Sequence, residues 1–86
     1  MQSKSEDVYV GDRLSINFIH KDNKSSGEFK IEVVEKMSDK SGFIGRRKRD
    51  GKKLYVSVKQ NEIGVDSFTG IEWLWDLDDF SIVEDF

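Results

Sequence analysis

Cationic side chains crowd one short stretch of this sequence. Six Lys or Arg residues fall within the eight positions 46–53 of an 86-residue chain whose formal net charge is -3. Guanidinium groups contact phosphate oxygens bidentately and ammonium groups act as point charges, so this density favours an anionic ligand. Aromatic residues near the stretch are candidates for stacking on a base. The expected ligand-binding residues are Arg46, Arg47, Lys48, Arg49, Lys52, Lys53, Tyr55 and Phe43.

A second cluster, in residues 73–79, combines two Trp with three Asp. In a strand the two Trp point the same way, and they either fill the core or form a protein-binding hot spot with an acidic rim. The Asp-x-Asp-Asp spacing lacks the glycine and the distal Glu of a calcium loop, so no metal site is expected. The candidate partner-binding residues are Trp73, Trp75, Asp76, Asp78 and Asp79.

Other reactive side chains are scarce. The chain has no Cys, which removes disulfides and thiolate chemistry, and its single His20 cannot build a histidine metal cluster. Two catalytic carboxylates need a substrate cleft, which a small domain with a filled core seldom offers. We therefore expect a non-enzymatic protein without a cofactor.

Charge is divided unevenly along the chain. Residues 1–58 hold 13 Lys or Arg against 9 Asp or Glu, a balance of +4, whereas residues 59–86 hold 1 against 8, a balance of -7. Such asymmetry favours a charged partner, although the two ends can also complement each other within the molecule.

Length and composition indicate one small domain. Residues 1–86 suffice for a single modest core, and the ten aromatic residues argue against a disordered chain. Residues 1–7 are polar and are expected to be disordered. No apolar run is long enough to span a membrane, so a cytoplasmic protein is expected.

Period-two alternation of apolar and polar residues predicts strands in residues 13–18 and 29–34. The adjacent Val33 and Val34 break that period, which predicts a β-bulge. A third predicted strand covers residues 71–77.

Asp50-Gly51 predicts a two-residue hairpin turn of type I′. In that register Arg49 faces Lys52 and Lys48 faces Lys53, and each like-charge pair costs a few tenths of a kcal/mol. The functional interpretation is that a bound partner offsets this cost. The predicted inner face holds Phe43, Gly45, Arg47, Leu54, Val56 and Val58, and the outer face holds Ile44, Arg46, Tyr55 and Ser57.

The final segments complete the fold prediction. Residues 59–70 receive no assignment, the Asp-rich residues 76–80 predict a single helical turn, and residues 81–84 predict a short last strand. This order resembles the small five-stranded SH3-like and Sm-like barrels, in which one 3₁₀ turn precedes the last strand. The resemblance rests on residues 10–16, "VGDRLSI", and residues 73–85, "WLWDLDDFSIVED". An all-β barrel is expected, with an OB-like barrel as the alternative.

Two functional hypotheses follow. In the first, the basic hairpin of a binding module grips an anionic ligand, most readily nucleic acid or a nucleotide. In the second, a small inhibitor or adaptor, of the kind that phages or toxin-immunity loci encode, binds a protein through its bipolar charged surface. Sm-like barrels commonly form rings, so the resemblance leaves a homo-oligomer open.

Overall fold

Every regular element of the computed structural model is a β-strand within the residues that the structure describes, 8–37 and 41–84. None of these residues belongs to a helix that could span a membrane. The expectation that residues 1–7 are disordered concerns a segment outside the described residues. Six strands follow one another: β1 (Arg13–His20), β2 (Ser26–Lys36), β3 (Gly42–Arg47), β4 (Lys53–Ser57), β5 (Glu62–Ser67) and β6 (Gly70–Val83).

The strands form one closed antiparallel barrel. Each strand pairs with the next along the chain, and β6 returns to pair with β1. The long strand β6 serves two neighbours, because its first half pairs with β5 and its second half with β1. The prediction of an all-β small barrel is confirmed, but the five-stranded SH3-like or Sm-like arrangement is wrong on strand number.

Inward-facing apolar side chains fill the barrel. The alternation that predicted β1 and β2 is confirmed, because Leu14, Ile16, Phe29, Ile31 and Val33 are buried, Phe18 is half-buried, and the residues between them are exposed or half-buried. Full burial of one large aliphatic side chain contributes about 1.5–3 kcal/mol, so packing dominates the stability of this chain. The fully buried side chains are Val8, Leu14, Ile16, Ile31, Val33, Phe43, Leu54, Val56 and Ile63.

An aromatic cluster packs beside this core. The rings of Phe18 and Phe29 stack with centroids 4.1 Å apart, and Trp75 meets Phe29 edge-on at 5.0 Å. His20 packs against Trp75 at 6.1 Å, and its Nδ1 accepts a hydrogen bond from the backbone of Asp22. The lone histidine is therefore a packing residue.

The predicted bulge in β2 is confirmed. Val33 pairs with Gly45 of β3, whereas the next paired residue of β2 is Glu35, opposite Ile44. Val34 is the extra residue and is 39% exposed.

The predicted helical turn before the last strand is wrong. Residues 76–80 continue β6 without a break. A second bulge accommodates the Asp-rich segment, because Asn17 pairs with Asp79 and Phe18 pairs with Leu77, which leaves Asp78 as the extra residue. The side-chain amide of Asn17 also donates a hydrogen bond to Asp79 at 2.6 Å, so this carboxylate helps to close the barrel.

The unassigned segment 59–70 contains β5, a strand that the sequence pattern did not predict. Its three central residues, Ile63, Gly64 and Val65, are all buried, so β5 shows no alternation of apolar and polar positions. A short strand buried on both faces gives no period-two signal, which is why the pattern missed it.

Candidate ligand-binding surface

Strands β3 and β4 are joined by a five-residue loop, residues 48–52. The backbone N–H of Arg47 donates to the carbonyl of Lys52 at 2.8 Å, and the N–H of Gly51 donates to the carbonyl of Arg47 at 2.7 Å. Gly51 is the one loop residue with a positive φ, at 72°. The predicted type I′ turn at Asp50-Gly51 is therefore wrong, since such a turn needs positive φ at both positions.

The Asp50 carboxylate explains the longer loop. It accepts two hydrogen bonds from the guanidinium of Arg47, at 2.7 and 3.0 Å, and a third from the backbone N–H of Lys52 at 3.0 Å. Arg47 foremost, and then the Lys52 N–H, hold the pKa of Asp50 below its usual range. The guanidinium also lies over the ring of Phe29, 5.2 Å from its centroid. Arg47 thus fixes the loop to the barrel.

The register of the hairpin differs from the prediction by two residues. Arg46 pairs with Lys53, so the expected pairs Arg49 with Lys52 and Lys48 with Lys53 are wrong. One like-charge pair remains in the ladder, and Glu32 of β2 faces Arg46 from the other side. The guanidinium of Arg46 also donates to the carbonyl of Gly51 at 3.3 Å. Cross-strand repulsion is therefore smaller than the sequence indicated.

A shift by two preserves the faces of the strands, and the predicted inner face is confirmed for its main members. Phe43 pairs with Val56 and Gly45 with Leu54, and all four are buried. Phe43 is fully buried and packs edge-on against the half-buried ring of Phe80, so it offers no surface to a ligand. The expected stacking role of Phe43 is not available in this fold.

Tyr55 faces outward, with Arg46 and Lys53 as neighbours, but both its hydroxyl and its ring already interact with other residues. Its hydroxyl donates to Asp66 of β5 at 2.8 Å. The ammonium of Lys53 lies 5.3 Å from its ring centroid, and a hydrogen bond with Tyr55 raises the pKa of Lys53. Tyr55 and Lys53 form one unit with Asp66 on the outer face of the barrel.

A cleft of about 500 Å³ opens between β2 and the β3–β4 loop. Four cationic residues and one acidic residue line it, together with the edge of the aromatic cluster. Arg49 is exposed and forms no ion pair with another described residue. The sequence pattern missed the contribution of β2, because only the pairing of β2 with β3 brings it beside the loop. The residues lining the cleft are Glu28, Phe29, Lys30, Arg47, Lys48 and Arg49.

The three Asp of the second cluster do not act together. Asp76 is 3.0 Å from the ammonium of Lys21, which also lies 3.2 Å from Glu62. The hydrogen bond to Asp76 is the largest cause of the raised pKa of Lys21. Asp79 accepts a hydrogen bond from the side chain of Asn17. Asp78 is exposed as the extra residue of the bulge in β6. No group of three or more metal-ligating side chains is placed to hold a metal ion within residues 8–37 and 41–84.

The two Trp residues diverge, contrary to the prediction that they point the same way. Trp75 pairs with Ile63 and packs against the core, whereas Trp73 pairs with Gly64. Leu74 lies between them as the extra residue of a third bulge, which changes the side to which the strand's next residues point. Trp73 therefore lies on the outer face of the barrel.

One apolar residue lies wholly in solvent. Phe68, in the turn between β5 and β6, is as exposed as a free side chain. The unassigned segment around it gave no signal that would single it out, and Ser67 and Gly70, which flank the two-residue turn, are residue types common at turns.

Comparisons of the whole chain with protein-family models, curated proteins and solved structures find no match. The functional argument therefore rests on the surface itself.

Proposed function

We propose that this chain is a non-enzymatic binding protein that holds nucleic acid or a nucleotide on the basic surface of its β3–β4 hairpin. The cleft beside the loop carries the proposal, because four of its six lining residues are cationic and it opens to solvent. Phosphate oxygens are acceptors that Lys and Arg pair with well. The proposed contact residues are Lys30, Arg46, Lys48, Arg49, Lys52 and Lys53.

Arg47 has a different role in this proposal. Its side chain is 11% exposed and is held by Asp50, so it shapes the loop and leaves phosphate contact to its neighbours. Arg49 and Lys52 are exposed and belong to no ion pair with a described residue, which makes them the strongest candidates for direct contact.

The acidic residues of β6 oppose this function only weakly, and Glu28 is the one acidic residue that lines the cleft. Asp76 is paired with Lys21 and Asp79 with an amide, and both lie on the half of β6 that pairs with β1. At physiological ionic strength the screening length is about 8 Å, so acidic residues farther away than this repel a phosphate only weakly.

A salt titration of oligonucleotide binding tests the proposal. Affinity is expected to fall steeply with salt, with the slope reduced by about 0.7 for each single-strand phosphate contact that is lost. The variant Arg49→Gln/Lys52→Gln should reduce both affinity and slope. The matched control is Lys24→Gln/Lys36→Gln, which removes the same charge from exposed or half-buried positions away from the loop.

Two results would count against nucleic-acid binding at the hairpin. The first is the absence of binding at low salt. The second is an equal loss of affinity in the two double variants, since general charge alone would then explain the effect.

A second candidate function, the inhibitor or adaptor that binds a protein, is favoured by one observation. Fully exposed Phe68 next to the acidic Asp66 and Glu72 offers an apolar anchor with a charged rim. Its test is the capture of a defined protein that Phe68→Ser abolishes and that Arg49→Gln/Lys52→Gln leaves unchanged.

A further inference from the structure

Trp73 packs closely on the outer face of the sheet for a local reason. A Cβ added to Gly64 would lie 2.8 Å from Cε3 of Trp73 and 2.7 Å from a methyl group of Ile71. Glycine at this position therefore lets the indole lie directly against the neighbouring strand. Trp73 is half-buried, so part of this residue remains accessible.

A shallow depression of about 190 Å³ adjoins this indole, beside the turn between β4 and β5. Trp73 and Ile71 provide apolar lining, and Lys59 and Gln60 provide an ammonium and an amide. Pockets that enclose a whole small ligand usually measure about 300–1,000 Å³, so this one suits a single planar ring system. The lining residues are Met37, Ser41, Ser57, Lys59, Gln60, Ile71 and Trp73.

The chemistry of these walls matches one nucleotide unit. Nucleobases present a π-face, which stacks on aromatic side chains, and polar edges, which an amide such as that of Gln60 reads as both donor and acceptor. The ammonium of Lys59 is suited to the attached phosphate.

The depression is connected to the basic hairpin across two strands. Trp73 pairs with Gly64, and Gly64 pairs with Tyr55, so the two aromatic residues are about 10 Å apart, or two strand spacings. Lys53 covers Tyr55 and pairs with Arg46. Tyr55 and Lys53 thus lie between the depression and the loop, with the carboxylate of Asp66 bound to the Tyr55 hydroxyl beside them.

We propose that the ligand is a single-stranded nucleic acid, one base of which stacks on Trp73 while its backbone runs over Lys53 to the β3–β4 loop. This proposal rests on the proposed function. It adds that the bound nucleic acid is single-stranded and that Trp73 is the residue on which a base stacks. The bases of a duplex are paired and stacked on one another, so a duplex has no free base for Trp73, whereas a single strand does.

Tryptophan fluorescence tests this directly, because the chain has two Trp residues. Trp75→Phe leaves Trp73 as the sole indole, and an oligothymidylate of about 12 nucleotides, within the range that one small domain covers, should quench it. Trp73→Phe leaves Trp75, which is half-buried against Phe18 and Phe29 away from the depression and should not respond. A duplex of equal length should bind more weakly and leave the fluorescence unchanged.

Affinity gives a second measurement. Trp73→Ala should weaken single-strand binding about 10-fold or more, which is the size of one stacking contact, and should leave duplex binding unchanged. Circular dichroism establishes that each variant is folded. Should Trp75→Phe fail to fold, the difference in quenching between the native protein and Trp73→Phe provides the same information.

The outcomes separate the two proposals. Binding that needs Arg49 and Lys52 but is equal for single strand and duplex, with no quenching of Trp73, overturns the stacking proposal and keeps the proposed function. Absence of any oligonucleotide binding overturns both. Quenching by an apolar peptide and not by the oligonucleotide would assign Trp73 to a protein partner instead.

Discussion

The two hairpin turns that follow β3 and β5 use their residues in opposite ways. In the β3–β4 loop, Asp50 binds Arg47 and the backbone of Lys52, and the N–H of Lys48 donates to the carbonyl of Lys30 on β2 at 2.7 Å. In the β5–β6 turn, Ser67 donates to the carbonyl of Gly70 at 3.1 Å, and Phe68 projects into solvent. A charged side chain thus stabilises the first turn, and an apolar side chain adds nothing to the second.

This difference shows that residue type alone does not divide folding residues from binding residues. Arg47 belongs to the basic stretch and yet supports the fold, whereas Phe68 has a core-forming side chain that no described residue covers. Folding residues and binding residues are distinguished by how far each side chain is buried and by which residues it contacts.

Replacement of Arg47 should have the largest effect. Arg47→Ala removes the bidentate pair with Asp50 and the packing over Phe29, so the free energy of unfolding should fall by about 1–2 kcal/mol in urea denaturation. The matched variant Arg49→Ala should change it by less than about 0.5 kcal/mol, because Arg49 is exposed. Equal effects in the two variants would remove the structural role given to Arg47.

Neutralisation of Asp50 should have an intermediate and pH-dependent effect. Asp50→Asn keeps the shape of the side chain but loses the charge that attracts Arg47, so the variant should be less stable near neutral pH. The pKa of Asp50 is lowered in the folded state, so its stabilisation is present above the unfolded pKa of about 4 and is lost as the pH falls below it. Thermal melts of the native protein and of Asp50→Asn from acid to neutral pH measure the difference in stability between them.

This difference in stability should become smaller below about pH 4. A difference that does not depend on pH would contradict the stabilising role given to the charge of Asp50. Asp22→Asn, in the exposed β1–β2 turn, is the control and should follow the native protein.

Release of Arg47 should also tighten oligonucleotide binding by Asp50→Asn, because the loop then has one more free cation.

Replacement of Phe68 should have the smallest effect on folding. Phe68→Ser should leave the free energy of unfolding within about 0.5 kcal/mol of the native value, since the ring has no packing to lose. The same urea measurement applied to Leu54→Ala should show a loss of about 2–5 kcal/mol, which establishes its sensitivity. A clear destabilisation by Phe68→Ser would mean that this turn also uses its side chain for the fold.

Sequence periodicity was sufficient where one face of a strand is buried and the other is solvated. The strands around Ile16 and Ile31 and the bulge at Val34 were predicted on that basis. The faces of the β3–β4 hairpin were also correct, because an error of two residues in register leaves every side chain on its own side.

The rest depended on interactions between distant or atypical residues. The capture of Arg47 by Asp50 lengthened the loop, and the bulges at Leu74 and Asp78 turned the two Trp apart and kept β6 continuous. Of the expected site, the exposed cations of the loop remain candidates, whereas Phe43 lies in the core. No periodicity in the sequence signals these features, because each depends on which strand lies alongside.

The pairing of β6 with β1 also has a kinetic consequence. Arg13 pairs with Val83, so the contact that completes the ring joins opposite ends of the chain, whereas the β3–β4 hairpin joins near neighbours. Contacts between distant positions carry the larger loop-closure cost, and chains dominated by them fold on the scale of milliseconds to seconds. Docking of β6 onto β1 should therefore be a late event in folding, and until it occurs β1 presents an unpaired edge to other chains.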